Sequence, residues 1–299
     1  MNDDWSQFEQ TSEELWRSRA LRFHEGNQAL WLDALGVRDG MDVLEVGCGS
    51  GIFCHRIRQF MPGARVTGLD FDTGHIAYAQ AKNAELGLDC QLVCGDATDL
   101  PFPGNSFDLC FSHTVMEHIP TVPFLAEQRR VLRPGGRIVA FSVRMGLSMP
   151  DVDGAEEEER ALLRRLWQAA EGRSPRKNVG AYGAAESDYP KALETAGFRD
   201  VAVRFFAVEY CAPDSADTPP PLAREQIEVA RLHCLASVTK SLRLAPGALT
   251  DAEVRRARDL INGRFDWRQD QYARGEKVWD LTARMVLAAS GRKPEAIHS

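Results

Sequence analysis

VLEVGCGSGIF, residues 43–53, is the stretch on which the fold turns. The run from Met41 to Gly47 is short, nearly continuous in apolar residues and rich in Val and Leu. That composition suits a strand buried on both faces of a parallel sheet. An acid, Glu45, stands just before glycines at 47, 49 and 51. Without a Cβ, these positions let the backbone take unusual dihedral angles and let a ligand come close. A dinucleotide-binding fingerprint would place its third glycine at position 52, which is Ile52, and a P-loop would need a Lys after Gly51, which is absent. Neither pyrophosphate nor triphosphate therefore suits the turn. A carboxylate beside the glycines repels phosphate and favours a cation.

Outward from this stretch, strand and helix alternate. Residues 11–35 carry Leu15, Trp16, Leu21, Phe23, Leu30, Trp31, Leu32 and Leu35 at roughly helical spacing. After the first strand a helix is predicted over 52–60, a second strand over 65–70, and a helix from Thr73, its expected N-cap, to Gly87. A third strand is predicted over 89–96, a fourth over 107–113, a helix over 123–136 and a fifth strand over 137–143. Such alternation implies βαβ units and an open parallel sheet, whose ligands sit beyond the carboxyl ends of the strands. The strand-end residues are Glu45, Asp70, Asp96, His113 and Arg144. Beyond them an amphipathic helix is expected over 153–171, with Leu162, Leu163, Leu166 and Trp167 on one face and a Glu156–Arg160 pair. A helix near Ser187 leads to a sixth strand at 199–210, a Pro-rich linker at 212–221, a helical stretch to about residue 265 and a seventh strand at 282–294. The expected organisation is an N-terminal helical lid over 1–35. The core spans 36–212 and 281–299, with a lid insertion at 145–184. A helical insertion, 213–280, separates strands six and seven.

Composition limits the partners. The chain has 299 residues, a formal net charge of −7 and no Lys/Arg block dense enough for nucleic acid. The RSPRK patch at 173–177 reads as a solvated loop. Seven cysteines without a CxxC pair, and Cys90 and Cys94 inside a strand, read as free thiols in a reducing compartment with no metal. The acidic N-terminus lacks a secretory h-region, and no run of 18 apolar residues occurs. A soluble cytoplasmic protein is expected, with no nucleic-acid or membrane partner.

Asp70 lies 19 residues past Gly51, at the end of the second strand, where a carboxylate can accept from both hydroxyls of a ribose. Asp96 can accept from an exocyclic amine such as that of adenine, and Ala97 supplies a backbone N–H. The ligand implied is a nucleoside with a cationic, amino-acid-like arm and no phosphate, a description that S-adenosyl-L-methionine meets. VLEVGCGSG, GLDFD, GDATDLPFPGNSFD, SHTVMEHI and VLRPGGRIV, in this order across residues 41–143, resemble the motif series of the class I S-adenosylmethionine-dependent methyltransferases. The resemblance implies a Rossmann-like, doubly wound α/β sheet of seven mostly parallel strands, one of them antiparallel, plus helical additions. It implies that Glu45, Gly47, Cys48, Gly49 and Gly51 contact the methionine arm. It places Asp70 on the ribose, Phe71 against the adenine, Asp96 and Ala97 at the adenine edge, and His113 near the ribose and methionine side.

Methyl transfer is an in-line displacement that needs alignment, exclusion of water and, for a hydroxyl or protonated amine, removal of a proton. His118 is the candidate base. Its neighbour Glu117 diverges from it if the segment is helical. Arg144 is a candidate for an acceptor carboxylate, with Tyr182 and Tyr189 beside the loop expected to cover the acceptor. No Asn-Pro-Pro-aromatic motif follows the fourth strand, which disfavours base or amide N-methylation. Trp5, Phe8 and Trp16 are lid candidates. Trp267, Tyr272 and Trp279 suit either an acceptor wall or a homodimer face. The expected activity is methyl transfer to a small-molecule acceptor. Its rivals are a protein or tRNA acceptor, a cofactor-dependent cyclisation, and a non-catalytic cofactor-binding subunit. Arsenic methylation is disfavoured, because no further thiols are expected beside Cys48 and Cys54.

Overall fold

The computed structural model describes residues 5–8, 10–148, 155–172, 181–209, 212–280 and 282–295. The basic patch at 173–177 and the side chain of Phe8 lie outside the described residues. The helices are α1 (Trp5–Phe8), α2 (Ser12–Arg22), α3 (Gln28–Leu35), α4 (Ile52–Phe60), α5 (Thr73–Glu85), α6 (Thr121–Val131), α7 (Glu157–Ala170), α8 (Asp188–Thr195), α9 (Pro220–Leu244) and α10 (Asp251–Arg274). The strands are β1 (Asp42–Val46), β2 (Arg65–Asp70), β3 (Gln91–Cys94), β4 (Phe107–His113), β5 (Leu132–Ser148), β6 (Arg199–Glu209) and β7 (Thr282–Arg292). They form one seven-stranded sheet in the order β3-β2-β1-β4-β5-β7-β6.

β1 pairs in parallel with β2 on one side and β4 on the other, with Val43 opposite Val66 and Leu109. β2 and β3, and β4 and β5, are also parallel. β7 enters antiparallel. At its far end Lys293 accepts from Gly135 N–H and donates to Gly136 at the start of β5, both at 2.9 Å. The order reverses between β1 and β4, so a crevice opens beyond their carboxyl ends. The apolar run is buried as its composition requires: Val43, Leu44 and Val46 are wholly covered. Phe53 of α4 packs on Phe111 of β4, their ring centroids 4.9 Å apart.

Several sequence expectations shift. The cap of α5 is Asp72 rather than Thr73, its carboxylate accepting from Gly74 N–H at 2.8 Å and His75 N–H at 3.0 Å. The helix expected over 123–136 ends at Val131, and LRPGG already belongs to β5, where Leu132 pairs with Phe107. Pro134 has no N–H for a helical bond, so the chain extends there instead. β5 continues to Ser148, which places Arg144 inside the strand rather than at its end. β3 spans only Gln91–Cys94, leaving Asp96 in the turn that follows.

The chain divides into two compact units, one comprising Met1–Met145, Asn178–Val208 and Met285–Ser299, the other Gly146–Lys177 and Glu209–Arg284. In the second unit, Leu162, Leu163 and Leu166 of α7 pack with Ile227 and Val238 of α9 and Ile261 and Phe265 of α10. Trp167 is instead 48% exposed, because one residue beyond Leu166 turns it about 100° off that face. Arg160 pairs with Glu157 at 3.1 Å rather than with Glu156, which precedes the first turn as the N-cap. The helical stretch expected to end near 265 runs to Arg274. A buried ion network closes this unit. Arg264 meets Glu159 at 2.8 Å, and the fully covered Arg268 is held by Asp214 at 2.9 Å and by Asp280. Asp214 also accepts from the main chain of Val278 and Trp279. Among the described residues no helix is long and apolar enough to cross a membrane. Asp214→Ala strips the covered Arg268 of one of its two carboxylates and the Val278 and Trp279 N–H groups of their acceptor, so it should cost about 3–5 kcal/mol in urea unfolding followed by tryptophan fluorescence. A loss below about 1 kcal/mol would show that the network is solvated and contributes as little as a surface pair.

Candidate functional site

At the end of β1 the chain turns through Gly47 and Gly49, at φ +80° and +52°, a region that only glycine enters readily. A Cβ at Gly47 would lie 2.5 Å from Val115 Cγ2, and one at Gly49 2.8 Å from Leu15 Cδ2. The turn is pinned to β2. Gly47 and Cys48 N–H donate to Leu69 O at 2.7 and 2.9 Å, and Gly49 N–H donates to Asp70 Oδ2 at 2.8 Å. Asp70 Oδ1 accepts from Asp72 N–H at 3.0 Å. Burial raises the Asp70 carboxyl above its ordinary range against these two backbone bonds, which lower it. Each oxygen keeps a lone pair for a hydroxyl. Phe71, next in sequence, is 53% exposed.

Glu45 faces away from open solvent. It is buried, with Oε2 accepting from Cys54 Sγ of α4 at 2.9 Å. Burial pushes its carboxyl up to about 8. Cys48 and Cys54 crowd the bare Cα of Gly68, and Cys90 comes near as a third thiol, its Sγ 3.6 Å from Cys54 O. The sequence had shown no third thiol here, because Cys90 reaches Cys54 only across the fold. Burial holds the Cys54 thiol well above its ordinary value and lifts Cys90 to about 12, so these thiols are unreactive packing groups. Among the described residues no cluster of three or more His, Cys, Asp or Glu is placed to hold a metal.

Beyond β3, Asp96 Oδ1 accepts from the N–H and the hydroxyl of Thr98, both at 2.7 Å, while Ala97 packs on the core. At the end of β4, His113 is buried among Phe23, Trp31 and Phe53. Arg22 Nη1 lies 3.0 Å from His113 Nε2. A guanidinium can only donate, so Nε2 accepts and the ring is neutral with its proton on Nδ1. Burial, then the charges of Arg22 and Arg19, holds His113 well below its ordinary value, in agreement with that tautomer. The N-terminal helices close over this region. Ser6 donates N–H and Oγ–H to Asp72 at 2.6 and 2.9 Å, Ser12 Oγ meets His75 Nδ1 at 2.8 Å, and the Trp16 ring lies 5.2 Å from His55. Residue order had singled out none of Arg22, His55, Asp72 or His75. The usable signal was their place in the last turn of α2 or at the starts of α4 and α5.

On the other side of β4, His118 ends a short 3₁₀ turn, Met116–His118, with the Trp5 ring 5.1 Å away. Glu117 takes the opposite direction. Its oxygens accept from Ser142 Oγ at 3.4 Å and Tyr189 OH at 3.1 Å, and its carbonyl accepts from Tyr182 N–H at 3.1 Å. Tyr189 is buried, and burial pushes its hydroxyl up to about 12, so it donates rather than serving as a base. The Arg144 guanidinium lies over the Tyr189 ring at 4.8 Å. Tyr182, Tyr189 and Arg144 therefore gather around Glu117 beyond β4, and His118 beside them is linked through Trp5 and Ser6 to Asp72.

The Glu45 carboxyl generates a pH prediction. Folding moves it from 4.5 to about 8, so across that interval the folded chain holds a proton that the unfolded chain has released, and stability falls as pH rises. Glu45→Gln removes this loss. Its melting temperature should draw ahead of the parent's between about pH 5 and pH 8 and stay level above. A gap independent of pH would contradict the buried, protonated carboxyl.

A family model described as a methyltransferase domain matches residues 44–140. The chain is 36% identical to a sterol 24-C-methyltransferase of Gibberella zeae over 147 residues, 48% of this chain and 37% of that protein. It is 39% identical to a demethylmenaquinone methyltransferase of Beutenbergia cavernae over 119 residues, 38% of this chain and 47% of that one. The chain thus spans less than half the length of these curated relatives. In fold it is similar to phosphoethanolamine N-methyltransferase 2 of Haemonchus contortus in complex with S-adenosyl-L-methionine. The TM-score is 0.55 at 16% identity, over 98% of this chain and 60% of that one. With the glycine turn, the β2 acid and the sheet order in place, residues 44–140 carry a methyltransferase domain on a Rossmann-like sheet.

Proposed function

We propose that the protein transfers a methyl group from S-adenosyl-L-methionine to a small-molecule acceptor. The observation that carries this reading is the bond from Gly49 N–H to Asp70 at 2.8 Å, which locks a bare, positively curved turn onto a carboxylate with lone pairs to spare. That pair fits a nucleoside whose ribose sits on Asp70 and whose methionine arm runs along Gly47 to Gly51. Two relatives support a small acceptor, one named a sterol 24-C-methyltransferase and the other a demethylmenaquinone methyltransferase.

When bound, the cofactor would supply an electrophilic methyl carbon on a sulfonium, whose sulfur keeps the electron pair of the broken bond and leaves as the neutral thioether of S-adenosylhomocysteine. The chain's own residues do the rest. Asp70 holds the ribose hydroxyls, the exposed Phe71 ring offers a face to the adenine, and Asp96 with the Ala97 N–H offers an edge. Cys48 contributes its backbone in the turn, and the neutral His113 lines the ribose side. Glu45 stays protonated against Cys54 in the free protein and can ionise opposite a cationic arm. His118 takes the acceptor's proton, while the Glu117 carboxylate holds Ser142 and Tyr189 in place.

Calorimetry with S-adenosylmethionine, S-adenosylhomocysteine and NAD tests the cofactor. Asp70→Ala should weaken both adenosyl ligands by at least about tenfold, or about 1.4 kcal/mol. Tight NAD binding, or silence with all three, would sink the reading. His118→Asn should leave S-adenosylhomocysteine affinity unchanged while turnover falls about 10²-fold. Full turnover in that variant would remove His118 from the proton path.

A further inference from the structure

Resting on the methyl-transfer reading, we propose that the acceptor carries an oxyanion, carboxylate or phosphate, received by the Nε/Nη2 edge of Arg144 in place of the Glu186 carboxylate. Both nitrogens are buried without a hydrogen-bond partner among the described residues. Buried donors left unpaired are rare and costly in folded proteins. These two N–H groups share one edge of the planar guanidinium, spaced to grip two oxygens of a single oxyanion.

The edge is held in a set direction. The guanidinium lies 4.8 Å over the Tyr189 ring, and that ring is buried with its hydroxyl donating to Glu117 at 3.1 Å. Glu117 has an oxygen on Ser142 and another on Tyr189, so its carboxylate is engaged elsewhere. The anion facing Arg144 is Glu186, whose Oε1 stands 3.7 Å from Nε, beyond hydrogen-bond length, on a side chain 56% exposed. A loose, exposed carboxylate screens the edge weakly and can swing into solvent. An incoming oxyanion that makes both bonds displaces it. A neutral acceptor makes weaker bonds there and does not displace the Glu186 carboxylate, so the site selects for acids.

The test follows the Arg144 Nε–H signal by nitrogen-15 NMR, assigned by its loss in Arg144→Lys. Sodium acetate, sodium phosphate and acetamide are titrated at constant ionic strength into the free and the S-adenosylhomocysteine-loaded protein. The expected result is a saturable shift with acetate or phosphate and none with acetamide. The salt that saturates tells carboxylate from phosphate. By calorimetry, Arg144→Lys should weaken that probe at least about tenfold, and Glu186→Gln should tighten it about twofold or more. A flat Arg144 signal with both salts in both forms overturns the proposal. So do unchanged affinities in the two variants. A protein that fails to bind S-adenosylhomocysteine loses the methyl-transfer reading instead, and the titration of its free form still decides the role of Arg144.

Discussion

The site depends on one joint, the glycine turn after β1 tied to the end of β2. Three backbone N–H groups, those of Gly47, Cys48 and Gly49, point back at Leu69 and Asp70. They satisfy donors that a turn with positive φ would otherwise leave bare in the crevice. The same bonds aim the Asp70 carboxylate, and Asp72, held to Asp70 by its own N–H, then caps α5 and receives Ser6 from the N-terminal helix. Strand end, helix start and covering segment are thus one connected hydrogen-bond system. A side chain at Gly47 or Gly49 would disturb all of it, through strain at φ and through contact with Val115 or Leu15.

Burial sets the electrical character of the crevice. Glu45 holds a proton against Cys54, and His113 is neutral because Arg22 occupies its Nε2. Glu45 and His113 are therefore uncharged in the free protein, while Arg22 beside His113 keeps its charge. A cationic arm entering it would favour ionisation of Glu45, since the desolvation that keeps the proton on is offset by a nearby positive charge.

The far side of β4 is built on a different principle. Glu117, Ser142 and Tyr189 bond one another as a floor, and Arg144 lies across it with one edge that makes no hydrogen bond and faces Glu186 at 3.7 Å. Specificity follows from such unpaired groups, because the wrong ligand leaves them unpaired still.

Residue order alone carried the parallel sheet, the glycine turn and the acid at Asp70, because each rests on local rules: apolar runs, missing Cβ atoms and the spacing of strand and helix. It placed α7 and the two long helices correctly as helical, yet put Trp167 on the packed face and missed the buried Arg268 with its two aspartates. It named His113 but not Arg22, which sits 91 residues away, and it named Arg144 and Tyr189 without the stacking that joins them. Tautomers, thiol neighbours and unpaired donors depend on which distant side chains the fold brings within about 3 Å of one another, and no local rule of sequence encodes that distance.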